Sequence, residues 1–123
     1  NYHWNIKGED FFVIHEKLEE LYNAINEQID EIAEHILIID GEPYGRLQDY
    51  LDTAQIQEAS NEKICSSKIF AAILKDYNIL IENATKIKED ADNLKKYDTS
   101  ALMDEYLQDY KKKVWMIRQM LMK

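Results

Sequence analysis

Three histidines, His3, His15 and His35, stand among 24 acidic side chains in 123 residues. His15 and Glu19 are four residues apart, as are Asp30 and Glu34. On a helix each pair therefore shares a face. Imidazole with carboxylate is a ligand set suited to iron, manganese or zinc. His15 and Asp30 are 15 residues apart, about 22 Å along a continuous helix at 1.5 Å per residue. They are too far apart to share an ion within one chain. Two such helices crossing antiparallel about a two-fold axis near Ala24 and Ile25 would bring them together. The small Ala24 would permit close approach, and each dimer would hold two identical sites.

A plainer reading competes with this one, because polar pairs at this spacing are common on solvated helix faces. His35 is rotated about 100° from Glu34 on a helix and reads as a bystander. No Glu-x-x-His motif of an intrachain di-iron bundle occurs, since Phe12 and Ile32 stand three residues before His15 and His35. The run His15-Glu16-Lys17-Leu18-Glu19 ends in glutamate where the zinc-protease pattern requires histidine. Nucleophile constellations and phosphate-cradling glycine loops are absent.

The positioning elements follow from periodicity. From Asp10 to Leu37, the residues Phe11, Ile14, Leu18, Leu21, Ile25, Ile32 and Ile36 recur at helical spacing. Gly8 ends whatever precedes this helix, His3 included, and Asp10 is its expected N-cap. Asp40-Gly41-Glu42-Pro43 marks a loop, and Leu47, Tyr50 and Leu51 form one side of a short helix within a long connection. A second long helix is expected from Ser66 to Leu94, with Ile69, Ile73, Leu74, Tyr77, Leu80, Ile81, Ala84, Ile87 and Ala91 on its inner face. Lys95 to Asp98 breaks it, and Thr99 or Ser100 would cap a third. That helix carries Leu102, Met103, Tyr106, Leu107, Tyr110, Val114, Ile117 and Leu121 toward a core. If residues 1–7 are the tail of a truncated first helix, the sum is an all-α four-helix bundle with a helix in its crossover. That is the ferritin-like arrangement.

Composition agrees. Gly 3 and Pro 1 cannot furnish the turns of a β-sandwich, and 123 residues make a single domain. Apolar runs are too short to span a membrane. The lone Cys65 excludes an internal disulfide framework and fits a reducing, cytoplasmic compartment. No signal peptide is visible, although a start at Asn1 leaves room for one. A net charge of −9 opposes generic attraction to nucleic-acid phosphates.

The strings His3-Trp4-Asn5-Ile6-Lys7-Gly8, Phe11-Phe12-Val13-Ile14-His15-Glu16-Lys17-Leu18-Glu19-Glu20-Leu21-Tyr22 and Asp30-Glu31-Ile32-Ala33-Glu34 closely resemble the Dps family. These are the ferritin-like mini-ferritins of starved bacteria. The resemblance extends over the whole chain as one domain, 1–123, through the crossover and Lys113-Val114-Trp115-Met116. It implies a ferroxidase centre at a dimer two-fold, with His3, His15 and Glu19 from one subunit and Asp30 and Glu34 from its mate. It further implies a hollow homododecamer that oxidises Fe(II) with hydrogen peroxide and stores ferric mineral. The site would hold one or two irons, with zinc as a substitute.

Glu19 stands where the family usually has Asp, and its carboxylate reaches one methylene further. His35 stands where Arg is frequent. Trp4 reads either as an interceptor of stray radicals or as an interface aromatic. Asp104 and Asp109 read as pore acids or as plain solvated charge. The family's other activity is compaction of DNA. It usually needs a lysine-rich tail, and none lies within these residues.

Overall fold

A computed structural model describes residues 1–123. The elements run in the order α1 (Tyr2–Asn5), β1 (Ile6–Lys7), α2 (Phe11–Ile38), α3 (Leu47–Thr53), β2 (Ile64–Cys65), α4 (Ser66–Asn93) and α5 (Tyr97–Leu121). The chain divides into two units, Asn1–Ser66 and Ser67–Lys123.

In the first unit, Gly8 takes φ +130°, a backbone region that side chains disfavour, and so turns the chain from β1 into α2. The Phe11 N–H donates to Gly8 O at 3.1 Å as the helix starts. Asp10 occupies the N-cap position as expected, but its side chain makes no cap hydrogen bond. Its carboxylate instead accepts the hydroxyl of Ser66, the first residue of α4. Beside this bond, β1 pairs in parallel with β2, Ile6 opposite Ile64 and Lys7 opposite Cys65. Ile6 is only 2% exposed. This strand pair was not anticipated, and it fixes the segment that carries His3.

Ile14 and Leu18 are the buried residues of α2. The apolar stripe expected along the whole helix is thus buried only near its start. Ile32 is exposed, and so is its neighbour Ile29, at 57%. The helix ends in a Schellman turn. Asp40 sits at φ 65°, its N–H on Leu37 O at 3.1 Å, and Gly41 donates to Ile36 O at 2.8 Å. A Cβ at Gly41 would meet Ile36 Cγ2 at 2.9 Å, which explains the glycine. The expected crossover helix is present as α3, braced by a forked Arg46–Asp49 pair at 2.6 and 3.1 Å. Its Leu47, Tyr50 and Leu51 are all exposed.

In the second unit, α4 and α5 form an antiparallel hairpin. Phe70, Tyr77, Ala84 and Ala91 are buried along α4 at seven-residue steps, with Ile69 fully enclosed. They are matched by Met103, Tyr106, Tyr110, Val114 and Ile117 on α5. The Tyr77 and Tyr110 rings meet at 5.7 Å. Burial is the first cause, and the Asp109 charge the second, that pushes both phenols up to about 12. The expected break falls between the helices, but α5 begins earlier than Thr99 or Ser100 would set it. A second Schellman turn explains this. Lys95 at φ 59° donates to Asp92 O, and Lys96 donates to Ala91 O at 2.7 Å. Lys96 then serves directly as N-cap. Ser100 is buried and accepts a hydrogen bond from Lys88 Nζ at 2.7 Å.

Candidate metal centre

His3 comes from α1, and His15 and Glu19 from successive turns of α2. The two imidazoles stack with centroids 3.7 Å apart and planes 15° from parallel. His3 Nδ1 lies 2.7 Å from the backbone carbonyl of His15, and His15 Nδ1 lies 2.7 Å from the carbonyl of His3. A carbonyl only accepts, so both Nδ1 atoms carry hydrogen and donate. In each neutral ring the lone pair therefore resides on Nε2, the tautomer a metal ligand needs.

The Nε2 of His3 lies 3.9 Å from Glu19 Oε1. With neutral histidine these are two acceptors facing each other with no proton to share. Two donors bound to one first-row cation, each about 2.1 Å from it, stand between about 3.0 and 4.2 Å apart for ligand angles of 90° to 180°. The observed separation lies within that span.

Two aromatic residues that the ligand pattern alone did not mark complete the surroundings. Phe11 stacks on His15 at 5.0 Å, one helical turn away. Tyr22 presents its ring edgewise to His3 at 5.3 Å, and its hydroxyl donates to Glu19 Oε1 at 3.4 Å. Desolvation first, and the Glu19 carboxylate second, raise the phenol's pKa. The spacings Phe11 to His15 and Glu19 to Tyr22 are i,i+4 and i,i+3, so helical neighbourhood was the signal that could have found both.

Asp30 and Glu34 do not join this group. They lie 11 and 15 residues beyond Glu19 on the same helix, about 16 and 22 Å along its axis, and both are exposed. Within the single chain no three His, Cys, Asp or Glu side chains converge closely enough to hold an ion. His35 is half-buried near the end of α2. Trp4 is 77% exposed, and its carbonyl accepts Lys63 Nζ at 3.2 Å. Asp104 pairs with Lys88 at 2.9 Å and Asp109 with Lys113 at 3.4 Å. Both are engaged in lysine pairs, which favours the plainer reading of these two acids.

A ferritin-like domain model matches residues 1–123. The chain is 40% identical over 121 residues to the DNA protection during starvation protein 2 of Bacillus anthracis, covering 98% of this chain and 82% of that protein. It belongs to the Dps family. A Dps structure from Vibrio cholerae, described as a member of a broad superfamily of ferritin-like diiron-carboxylate proteins, superposes with TM-score 0.95. That comparison has 36% identity and covers 98% of this chain and 76% of the other. The Helicobacter cinaedi CAIP structure gives TM-score 0.96 at 32% identity, covering 98% of this chain and 85% of that one. The all-α, ferritin-like fold expected for a Dps chain is the fold found.

Proposed function

We propose that this Dps-family chain oxidises Fe(II) and stores the ferric product. The observation that carries the reading is that His3 Nε2 and Glu19 Oε1 face each other at 3.9 Å. With His15 they make half of a centre. Asp30 and Glu34 of a second copy, approaching antiparallel across α2, supply the other half. The exposed apolar side chains along that helix, Ile29 and Ile32 among them, support such an approach, because an uncovered apolar face marks an interface. Repetition of the two-fold dimer builds the homododecameric shell.

Fe(II) is the substrate. Carboxylate oxygens favour the higher charge of Fe(III), so binding itself lowers the cost of oxidation. Two Fe(II) ions give one electron each to hydrogen peroxide, which takes up two protons and leaves as two waters, with no hydroxyl radical released. The same donors would hold one iron or two, and zinc would occupy them without redox chemistry. No helix is long and apolar enough to cross a membrane, and the reading places the protein in the cytoplasm. Stopped-flow oxidation of Fe(II) by peroxide tests it in the native assembly and in a His15→Ala, Asp30→Ala double variant. Loss of the fast phase in the variant is expected, and equal rates refute the reading.

Relatives named for DNA protection motivate a second reading, binding and compaction of DNA. The net charge of −9 weighs against it, since such binding is driven by phosphate neutralisation. Consuming Fe(II) and peroxide protects DNA without contact. A gel shift at low salt on the full-length protein decides between them.

A further inference from the structure

We propose that Tyr22 is a positioning residue for the metal centre, its phenol O–H holding the Glu19 carboxylate beside His3 Nε2. The inference rests on the shared-centre reading above. Glu19 Oε1 has two neighbours at once, Tyr22 Oη at 3.4 Å and His3 Nε2 at 3.9 Å. The same tyrosine sets its ring edge against the His3 ring at 5.3 Å and 76°. One side chain therefore touches both donors that face each other across the candidate site.

A glutamate at this position needs such a partner. It has one more rotatable bond than aspartate, and a longer side chain loses more freedom when it is fixed on a ligand. A donor three residues along the same helix restricts that freedom before the cation arrives. The geometry does not use up the carboxylate, because an ionised oxygen has lone pairs for a phenol and a cation together. A phenol is also neutral, so it holds the carboxylate without cancelling the charge that attracts the metal.

The test is Zn(II) binding by calorimetry to the assembled protein in four forms: native, Tyr22→Phe, Glu19→Ala and the double variant. Phenylalanine keeps the ring against His3 and removes only the hydroxyl. Tyr22→Phe is expected to weaken Zn(II) binding about tenfold, the lower end of the loss when an outer partner of a ligand is removed. In the Glu19→Ala background the same change is expected to do nothing further. The visible spectrum of bound Co(II) should shift in Tyr22→Phe, while the thermal midpoint of the metal-free protein stays put. Unchanged affinity with an unchanged Co(II) spectrum overturns the proposal, and so does an equal loss in both backgrounds. A His3→Ala control separates the two levels. If His3→Ala abolishes binding while Tyr22→Phe is silent, only the role of Tyr22 falls. If His3→Ala leaves binding intact, the centre and this inference fall together.

Discussion

His3 and His15 hold each other by their backbones. Each Nδ1 lies 2.7 Å from the other residue's carbonyl oxygen, and the rings stack between these two bonds. The pair is a closed ring of interactions joining α1 to α2, and it fixes the orientation of both Nε2 atoms. Removing one imidazole deletes one of the two hydrogen bonds and the stack, since the remaining ring keeps its acceptor but loses its stacking partner.

Replacement of either histidine by alanine should therefore destabilise the first unit by about 1–2 kcal/mol, the usual scale for a lost hydrogen bond with an orphaned carbonyl. The double variant should cost less than the sum, because the two changes remove one shared arrangement. Urea unfolding at fixed protein concentration measures all three, and strict additivity would contradict the coupling.

Sharing of the centre between copies predicts complementation. Subunits carrying His15→Ala and subunits carrying Asp30→Ala should each be slow with Fe(II) and peroxide. When equal amounts are unfolded together and reassembled, half the two-fold dimers are mixed, and each mixed dimer has one intact site. About a quarter of native activity should return. A centre built within one chain would give none.

Gly8→Ala places a side chain at φ +130°, with Asp10 Oδ1 only 3.2 Å from the new Cβ. Strain of this kind costs about 1–3 kcal/mol. The joint between β1 and α2 also sets where His3 lies, so Zn(II) affinity should fall along with the urea midpoint. Gly45→Ala, where nothing stands within 4 Å of the added atom, is the control and should be nearly silent.

Alkaline pH should loosen the α4–α5 hairpin. Tyr77 and Tyr110 are raised from 10.0 to about 12, so above pH 10 the unfolded chain releases their protons and the folded one retains them. Stability is then lost as pH rises from about 10 to about 12. Lys88 acts in the same direction. Its hydrogen bond to Asp104 raises it above 10.5, and its contribution is complete below that value and disappears as the ammonium deprotonates. Tyrosinate absorbance should show Tyr77 and Tyr110 ionising late, beside a raised Tyr22, together with loss of helical circular dichroism. Lys88→Met should make the hairpin less stable, by an amount that shrinks in high salt.

Periodicity located α2 and α4 to within a residue at each end, because a helical face repeats many times and one misplaced residue does not hide it. Caps were harder. Thr99 and Ser100 have the chemistry of an N-cap, but the chain left α4 through left-handed Lys95, a conformation its residue type does not announce. The β1–β2 pair was invisible, since two residues have no period and their partner lies 58 positions away. His15 and Glu19 were marked as candidates by type and spacing, and His3 by the family resemblance. Their mutual orientation was not legible, because the acceptors that orient the rings are backbone carbonyls, which every residue has. The face of α2 bearing Ile32 was correctly found apolar, yet a pattern says which side avoids water and not what covers it.

The joint at Gly8 carries a further consequence. Lys7, Gly8 and Glu9 are all exposed, so a trypsin-like protease meets a basic residue beside a turn. A cut there severs the covalent link between the segment carrying His3 and the helix carrying His15. The segment would then be held without a covalent link, by the two-residue ladder, the clasp of two rings, buried Ile6 and the hydrogen bonds to Asn61 and Lys63. His3 would then no longer be covalently tied to His15, while α2, α4 and α5 stayed uncut.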